Sequence, residues 1–283
     1  MRPKAERVDF IPGLVDNRYS GTSPRSHRDP PIVKASINKR EYQIKGAGTA
    51  ALSSMFKIGR WKSSPPLPGQ LSSEAIHLWK ISLDPADPIR FDQLSADEQA
   101  RASHFRRVLD RDRFVAARLS LRHILALYLD RPPGEIRFRY NRHGKPSLRA
   151  SFPKLEFNLS HTGGQALLAI SQTLPLGVDL ERISDRANAA AISRRVFGTE
   201  FAQSLEVMPA EERCRHFLEA WTALEAQTKA LGTGVFAKDA SWQQLPVVHF
   251  EPATGWVAAL SSPHPLPPAA LWDCFSWPIE IAS

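Results

Sequence analysis

The chain has 283 residues, of which 42% are hydrophobic, with a formal net charge of +8 and two cysteines. This apolar content is sufficient for one large or two modest cores. Two cysteines exclude a disulfide-dense scaffold and indicate a reducing compartment, and no apolar run approaches the roughly 18 to 20 residues that cross a bilayer. We therefore expect a cytoplasmic protein with no membrane partner.

The positive charge is concentrated at the start of the chain. Residues 1–70 contain 13 Lys and Arg against 5 Asp and Glu, so the rest of the chain is neutral. This segment is rich in Ser, Pro and basic residues and has no sustained periodicity, which predicts a disordered leader. An organelle presequence and a start codon assigned too far upstream are the alternatives. A basic tail, unlike a basic folded face, does not specify nucleic acid as a partner.

Alternation and helix-capping signals predict a first block of mixed structure over residues 71–175. Ser95-Ala96-Asp97-Glu98 has the spacing of a capping box and begins a helix that extends through Arg107. Asp110 is interpreted as the cap of a second helix, which Pro132-Pro133 ends. Most arginines on these helices are interpreted as solvated surface. The predicted elements are helices over 95–107 and 111–129 and strands over 74–81, 136–140, 157–160 and 165–171.

A second block, residues 176–283, again mixes helices with short strands. Pro209 opens a long helix and Gly232 closes it. The two blocks together predict an α+β fold in which small antiparallel sheets pack on helices. The predicted elements are strands over 176–181, 247–250, 256–260 and 271–275 and helices over 187–196 and 209–231.

The second block begins with an acidic strand. Side chains two apart on a strand share a face, so Val178 and Leu180 enter a core while Asp179 and Glu181 project together from the opposite side, toward solvent. A cation between two such carboxylates removes their repulsion, and Mg²⁺ prefers oxygen ligands of this kind. A half-exposed strand with acidic residues on its wet face is the alternative.

The long helix places a charged pair beside an apolar stripe. Phe217, Trp221 and Leu224 fall on one stripe, and Glu225 and Lys229 lie next to it, four residues apart. This pair could supply one metal ligand and one phosphate contact, or it could be an ordinary ion pair on a helix surface.

These stretches, with Phe157-Asn158-Leu159-Ser160-His161 upstream, resemble the surfactin-type 4'-phosphopantetheinyl transferases over about residues 73–260. One position departs from the family pattern, because Leu224 stands where the family has a lysine; we expect it to be partly exposed and to tolerate lysine. The family pattern Gly-Val/Ile-Asp-x-Glu, followed by Trp-x-x-Lys-Glu-Ala-x-x-Lys, is met by Gly177, Val178, Asp179, Glu181, Trp221, Glu225, Ala226 and Lys229.

The resemblance implies two similar α/β halves in a pseudo-twofold arrangement, residues 71–175 and 176–283. It implies a monomeric enzyme of the holo-[acyl-carrier-protein] synthase type. Such an enzyme transfers the 4'-phosphopantetheine arm of coenzyme A to a serine of an acyl- or peptidyl-carrier protein and releases 3',5'-ADP. It implies no nucleic acid partner.

The resemblance also implies roles for individual side chains. Asp179, Glu181 and Glu225 would hold Mg²⁺, with Asp179 and Glu225 catalytic and either Glu225 or a metal-bound water as the base. The predicted coenzyme A contacts are Arg101, Arg113, Lys145, Ser160, His161 and Lys229.

Other functions remain open at this point. The same carboxylates would serve another magnesium-dependent phosphotransferase or a pyrophosphatase. The basic leader is compatible with a non-catalytic protein that binds nucleic acid or anions, and Leu224 with a catalytically silenced relative. A serine hydrolase is excluded, because Ser160-His161 has no third triad partner and no nucleophile-elbow glycines.

Overall fold

The computed structural model describes residues 55–66, 70–84, 91–184, 189–234 and 244–278. Within these ranges the chain forms five α-helices and ten strands. The first part contains β1 (Phe56–Lys57), β2 (Ile76–Ser82), α1 (Ala96–Ser103), α2 (Val108–Leu129), β3 (Phe138–Tyr140), β4 (Pro146–Leu148), β5 (Glu156–Thr162) and β6 (Gln165–Ser171). The second part contains β7 (Gly177–Arg182), α3 (Ala189–Val196), α4 (Thr199–Glu206), α5 (Ala210–Leu231), β8 (Val247–Glu251), β9 (Trp256–Ser261) and β10 (Trp272–Trp277).

The two parts repeat one arrangement. In each, a first strand leads through helices to a hairpin, and the last strand of the hairpin pairs with the first strand, giving the orders β2-β6-β5 and β7-β9-β8. The longest helix of each part, α2 and α5, has 22 residues. The prediction of two similar halves built from small sheets and helices is therefore confirmed.

Each sheet also receives one strand from outside its own half. β10 pairs in parallel with β2, and β1 pairs in parallel with β8. The tail strand was predicted as part of an antiparallel sheet in the second half, and that prediction is wrong. The division of the chain into halves at residue 175 stays a prediction. The two strands β1 and β10 each pair with a sheet outside the part of the chain to which they belong.

Residues 55–62, which we call the strap, correct the predicted leader. Phe56 and Ile58 pack against the core shared by the two sheets. The Trp61 indole donates to the carbonyl of Pro252 at 3.0 Å, and the backbone N–H of Lys62 donates to that of Cys274 at 2.8 Å. The prediction of a disordered leader is wrong for this part, because its apolar side chains are spaced to enter the core; residues 1–54 and 67–69 lie outside the described residues.

The helix ends also differ from the predictions. The capping box at Ser95 is present, but α1 ends at Ser103 and α2 begins at Val108, with Asp110 in its first turn. Leu129 ends α2 as predicted, followed by Asp130 in the left-handed conformation. The second half contains a helix, α4, that the sequence pattern did not predict; residues 187 and 188 of the predicted helix before it lie outside the described residues.

Two arginines of α2 are buried instead of solvated. Arg118 donates to one carboxylate oxygen of Glu98 at 2.6 Å, and Arg122 donates to the other at 2.9 Å. Arg122 also donates to the carbonyl of Ile136 at 2.8 Å. Buried charges must be paired. The ion pairs of Glu98 with Arg118 and Arg122 therefore hold α1 against α2.

Four layers result from these contacts. α2 packs on the outer face of the first sheet, and α5 packs on the second sheet at β7 and β9. The inner faces share one apolar core, to which Ile76 and Leu78 contribute from the first sheet and Val178 and Leu180 from the second. Within the described ranges, no helix combines the length and apolar character needed to cross a bilayer.

Candidate active site

The seam between the halves is formed by β5 and β7, which are edge strands of different sheets. On β7, Val178 and Leu180 face the shared core as the alternation predicted. The opposite face does not point to solvent: Asp179 is 4% and Glu181 2% exposed. That face is covered by α5, and Gly177 permits the close approach, since a Cβ there would overlap the backbone of Ala226. The expectation of a solvent-facing Asp179 is therefore wrong.

Four side chains from three elements meet at this seam. The ammonium of Lys229, on α5, lies 2.6 Å from Oδ1 of Asp179 and 3.7 Å from Oε2 of Glu225. The Ser160 hydroxyl, on β5, donates to Oδ1 of Asp179 at 2.7 Å and accepts from Lys229 at 3.2 Å. We call Ser160, Asp179, Glu225 and Lys229 the seam cluster.

Charge in the seam cluster is unbalanced toward the negative. Burial raises the pKa of Glu225 to about 7, and Asp179 adds to the rise although Lys229 opposes it. For Lys229, burial lowers the pKa, but Asp179 and Glu225 outweigh burial, so the net direction is upward. Lys229 is therefore a permanent cation, and Glu225 is able to exchange a proton near neutral pH.

His161 follows Ser160 on β5 and is exposed. Its pKa is lowered to about 4, first because the protein around the ring displaces water and then because Lys229 and Arg101 disfavour a second positive charge. Imidazole has at least one N–H donor in either charge state, so His161 can donate a hydrogen bond to an anion. Arg101 is a predicted helix arginine that acts electrostatically on His161; its guanidinium lies 5.3 Å from the ring centre of Phe114.

Two predicted phosphate contacts have other partners in the structure. The ammonium of Lys145 donates to the carbonyls of Leu176 at 2.9 Å and Ala230 at 3.4 Å, and burial lowers its pKa to about 8. Arg113 donates to Asp84 at 3.0 Å. Lys145 thus ties the turn after β3 to the C-terminal end of α5, and beside it lies a cavity of about 200 Å³ that Gly232 also lines.

The carboxylates of Asp179, Glu181 and Glu225 are chemically suited to bind a cation, but their side chains do not surround a common point. In the described part of the chain, no group of three or more His, Cys, Asp or Glu side chains is positioned to hold a metal ion. Oδ2 of Asp179, however, is buried and has no hydrogen-bond partner among the described residues. A buried carboxylate oxygen without a donor is costly, so the site has an unused anionic ligand next to Glu225 and Glu181.

Leu224 corrects a prediction about α5. It is 0% exposed and lies in the core cluster with Phe217 and Trp221. The apolar stripe on the helix is confirmed, but the expectation of a partly exposed Leu224 is wrong. The position that is lysine in the family pattern is packed interior here, because α3 and α4 cover this side of α5.

Asn158 lies in the segment of residues 157–161, and the sequence alone predicted no role for it. Its side-chain oxygen accepts the backbone N–H of Val178 at 2.8 Å, across the seam. The available signal was a polar residue at a core-facing position of β5, between Phe157 and Leu159.

Comparison with known proteins gives matches over both halves. The family model described as "4'-phosphopantetheinyl transferase, N-terminal" matches residues 88–173, and that described as "4'-phosphopantetheinyl transferase superfamily" matches residues 175–272. The 4'-phosphopantetheinyl transferase HetI of Nostoc sp. is 38% identical over 180 residues, which are 62% of this chain and 76% of the relative. The chain belongs to the 4'-phosphopantetheinyl transferases.

More distant relatives of this transferase match over shorter segments. The 4'-phosphopantetheinyl transferase psf-1 of Bacillus pumilus is 32% identical over 50% of this chain and 59% of its own length. The human L-aminoadipate-semialdehyde dehydrogenase-phosphopantetheinyl transferase is 27% identical over 50% of this chain and 49% of its own length. The family models of this transferase begin at residue 88, so the strap lies outside them.

Proposed function

We propose that this transferase moves the 4'-phosphopantetheine arm of coenzyme A onto a serine of an acyl- or peptidyl-carrier protein, as a holo-[acyl-carrier-protein] synthase does. The observation that carries the proposal is the seam cluster: family motifs from both halves meet there within hydrogen-bond distance. Such a cluster of carboxylates, a fixed cation and a hydroxyl suits a reaction on a pyrophosphate.

In the proposed step, the serine oxygen of the carrier bonds to the phosphorus that bears pantetheine. The bond from that phosphorus to the bridging oxygen of the pyrophosphate breaks, and 3',5'-ADP leaves with the electron pair. The serine proton passes to a base. Glu225 is our candidate, since its carboxylate lies in the seam cluster, with Oε2 3.7 Å from the ammonium of Lys229.

Asp179, Glu181 and Glu225 would hold Mg²⁺ in this proposal. The buried, unpartnered Oδ2 of Asp179 and the burial of all three carboxylates support this set. When bound, Mg²⁺ would neutralise the pyrophosphate and the charge that develops on the leaving group.

Lys229, Ser160 and His161 would contact the phosphates, with Arg101 adding positive charge. Lys229 would then exchange part of its contact with Asp179 for a phosphate oxygen. Arg113 would have to leave Asp84, and Lys145 would have to leave two backbone carbonyls, so we rank these two after the others.

We propose further that the enzyme acts as a cytoplasmic monomer. Both sides of the seam come from one chain, which supports a monomer. The chain has two cysteines, Cys214 and Cys274, and such low cysteine usage supports a reducing compartment.

The test is incubation with an apo carrier protein, coenzyme A and Mg²⁺. We expect the carrier to gain the mass of one phosphopantetheine, with equimolar 3',5'-ADP, and no gain with chelator. Cleavage of coenzyme A without any gain by the carrier would indicate a pyrophosphatase instead. Absence of both, in protein that melts cooperatively, would indicate a silenced relative, as replacement of the family lysine by Leu224 allows.

A further inference from the structure

The seam between the sheets is closed by side chains. β5 and β7 are edge strands that pair only with their own sheets in the described structure, β5 with β6 and β7 with β9. Two side-chain bonds cross from β5: the Asn158 oxygen accepts from the N–H of Val178 at 2.8 Å, and the Ser160 hydroxyl donates to Asp179 at 2.7 Å. Asn158 and Ser160 are two residues apart, so they lie on one face of β5.

The side-chain oxygen of Asn158 accepts a hydrogen bond that the backbone of a neighbouring strand would otherwise accept from β7. The N–H of Val178 is directed across the seam to the Asn158 oxygen, and both residues are buried. A buried backbone N–H requires an acceptor. The bond therefore fixes where β7 lies along β5, one residue before Asp179.

A second contact of β7, made with α5, fixes the distance between β7 and that helix but not the position of β7 along β5. Gly177 lies directly against the backbone of α5, at Ala226 and Ala230, where a side chain would not fit. That contact decides how close β7 comes to Lys229. Sliding along β5 is opposed by the specific bonds of Asn158 and Ser160.

We propose that Asn158 is a positioning residue: it sets the register of β7 against β5 so that Asp179 meets Ser160 and Lys229 together. This inference rests on the proposed function, since it assigns Asn158 a role in that reaction. Asn158 does not touch the substrate; it acts through the backbone of Val178. Its loss displaces Asp179 and leaves the phosphate-contacting side chains of α5 in place.

The test compares Asn158→Ala and Asn158→Ser with Ser261→Ala. Ser261 is a matched control because it is buried on β9, opposite Gly177 of β7, and its hydroxyl donates to the carbonyl of Pro246 at 2.9 Å and not to β5. Three quantities are measured on protein corrected for its folded fraction. These are kcat and KM for coenzyme A, and the Mg²⁺ concentration that gives half of the thermal stabilisation by Mg²⁺.

We expect Asn158→Ala to lower kcat at least about tenfold, to raise the half-saturating Mg²⁺ concentration by a similar factor, and to change KM for coenzyme A less than about threefold, as for loss of a supporting contact. Asn158→Ser should give smaller changes in the same direction, and it carries the test if the alanine variant does not fold. Ser261→Ala should lower stability without changing kcat or the Mg²⁺ response.

The outcomes separate this inference from the proposed function. An active wild-type protein together with Asn158 variants that keep its kcat and Mg²⁺ response would overturn the positioning role alone. Equal effects of Asn158→Ala and Ser261→Ala would also overturn it, because the role would then be structural. A wild-type protein that transfers nothing would overturn the proposed function, and this inference with it.

Discussion

Lys229 is the residue on which the charge of the seam depends. Its ammonium contacts Asp179 and Glu225, and Glu181 adds to the electrostatic stabilisation of its charge. Burial raises the pKa of Glu225, and the nearby Asp179 carboxylate adds to the rise against the opposing effect of Lys229. A further cation close to Asp179 and Glu225 would favour the charged form of both carboxylates.

We predict that Asp179→Asn lowers the transfer rate at least about a hundredfold, because Asp179 is a direct ligand in the proposed site and should matter more than supporting contacts, whose loss costs about 10–100-fold. The fold should survive, since the amide keeps the shape of the side chain. Transfer assays with circular dichroism and thermal melting check both statements. Glu206→Gln, at an exposed ion pair with Arg194, is the control and should transfer normally. Wild-type turnover in Asp179→Asn would remove Asp179 from the site.

A second residue-scale prediction concerns His77, which lies outside the seam. Burial lowers its pKa from 6.5 to about 4, partly offset by Asp273, and Tyr128 contacts its Nδ1 at 2.8 Å. The folded state thus binds fewer protons than the unfolded state between these values. The stabilisation is complete above pH 6.5 and is lost as the pH falls toward 4.

The measurement is the free energy of unfolding in urea, as a function of pH, for wild-type protein and His77→Gln. At roughly 1.4 kcal/mol per pKa unit, the wild-type protein should lose up to about 3 kcal/mol more than the variant over that interval. Parallel curves for the two proteins would show that His77 is not held neutral by the fold.

At the scale of elements, α5 carries both the chemistry and the packing of the second half. One side supplies Glu225 and Lys229 to the seam, and another buries Phe217, Trp221 and Leu224. Leu224 and Glu225 are adjacent in sequence but about 100° apart around the helix. A change at one therefore acts on packing and a change at the other acts on charge.

We predict that Leu224→Lys destabilises the protein instead of improving it. The side chain is fully buried, so the variant loses an apolar group and buries an ammonium, and a cost of about 3 kcal/mol or more is expected. Chemical denaturation measures the change. Glu212→Lys, at an exposed position on the same helix, should cost less than about 1 kcal/mol. Equal stability of Leu224→Lys and wild-type protein would mean that the lysine reaches solvent or the seam.

At the scale of the whole molecule, the strap joins the two sheets. Phe56 stacks on Phe250 of β8 and meets Trp272 of β10 edge to face, with ring centres 5.8 and 5.5 Å apart. Lys62 pairs with Asp273 of β10. The strap is thus part of the folded body, and removal of residues 1–70 is not the neutral change that a disordered leader predicts.

Truncation separates the strap from what precedes it. Removal of residues 1–54 should leave melting temperature and turnover close to wild type, since their composition does not predict core packing. Removal of residues 1–62 also deletes Phe56, Ile58 and Trp61. It should lower the free energy of unfolding by at least about 3 kcal/mol, which is what replacing one large core side chain by alanine typically costs. Thermal melting of both proteins, with Trp61→Ala as a milder variant, checks this. If both truncations melt alike, the strap is dispensable.

Local signals in the sequence were sufficient for most elements and for the motif residues of the site. The alternation over β7, the apolar stripe of α5, the capping box at Ser95 and the closing Gly232 each depend on residues within a few positions of one another. Interactions between residues only a few positions apart form in the same way whatever the rest of the fold is. The sequence therefore determined that Asp179 and Glu181 share a face and that Glu225 and Lys229 adjoin each other.

Tertiary structure decided what those side chains touch. Lys145 donates to Ala230, 85 residues away, and Lys229 reaches Asp179 across 50 residues. The burial of Leu224 and the entry of the strap and β10 into the sheets of opposite halves also depend on distant partners. A sequence pattern shows which face of an element is apolar or charged. It does not show what covers that face, because the covering elements are brought there only by folding of the whole chain.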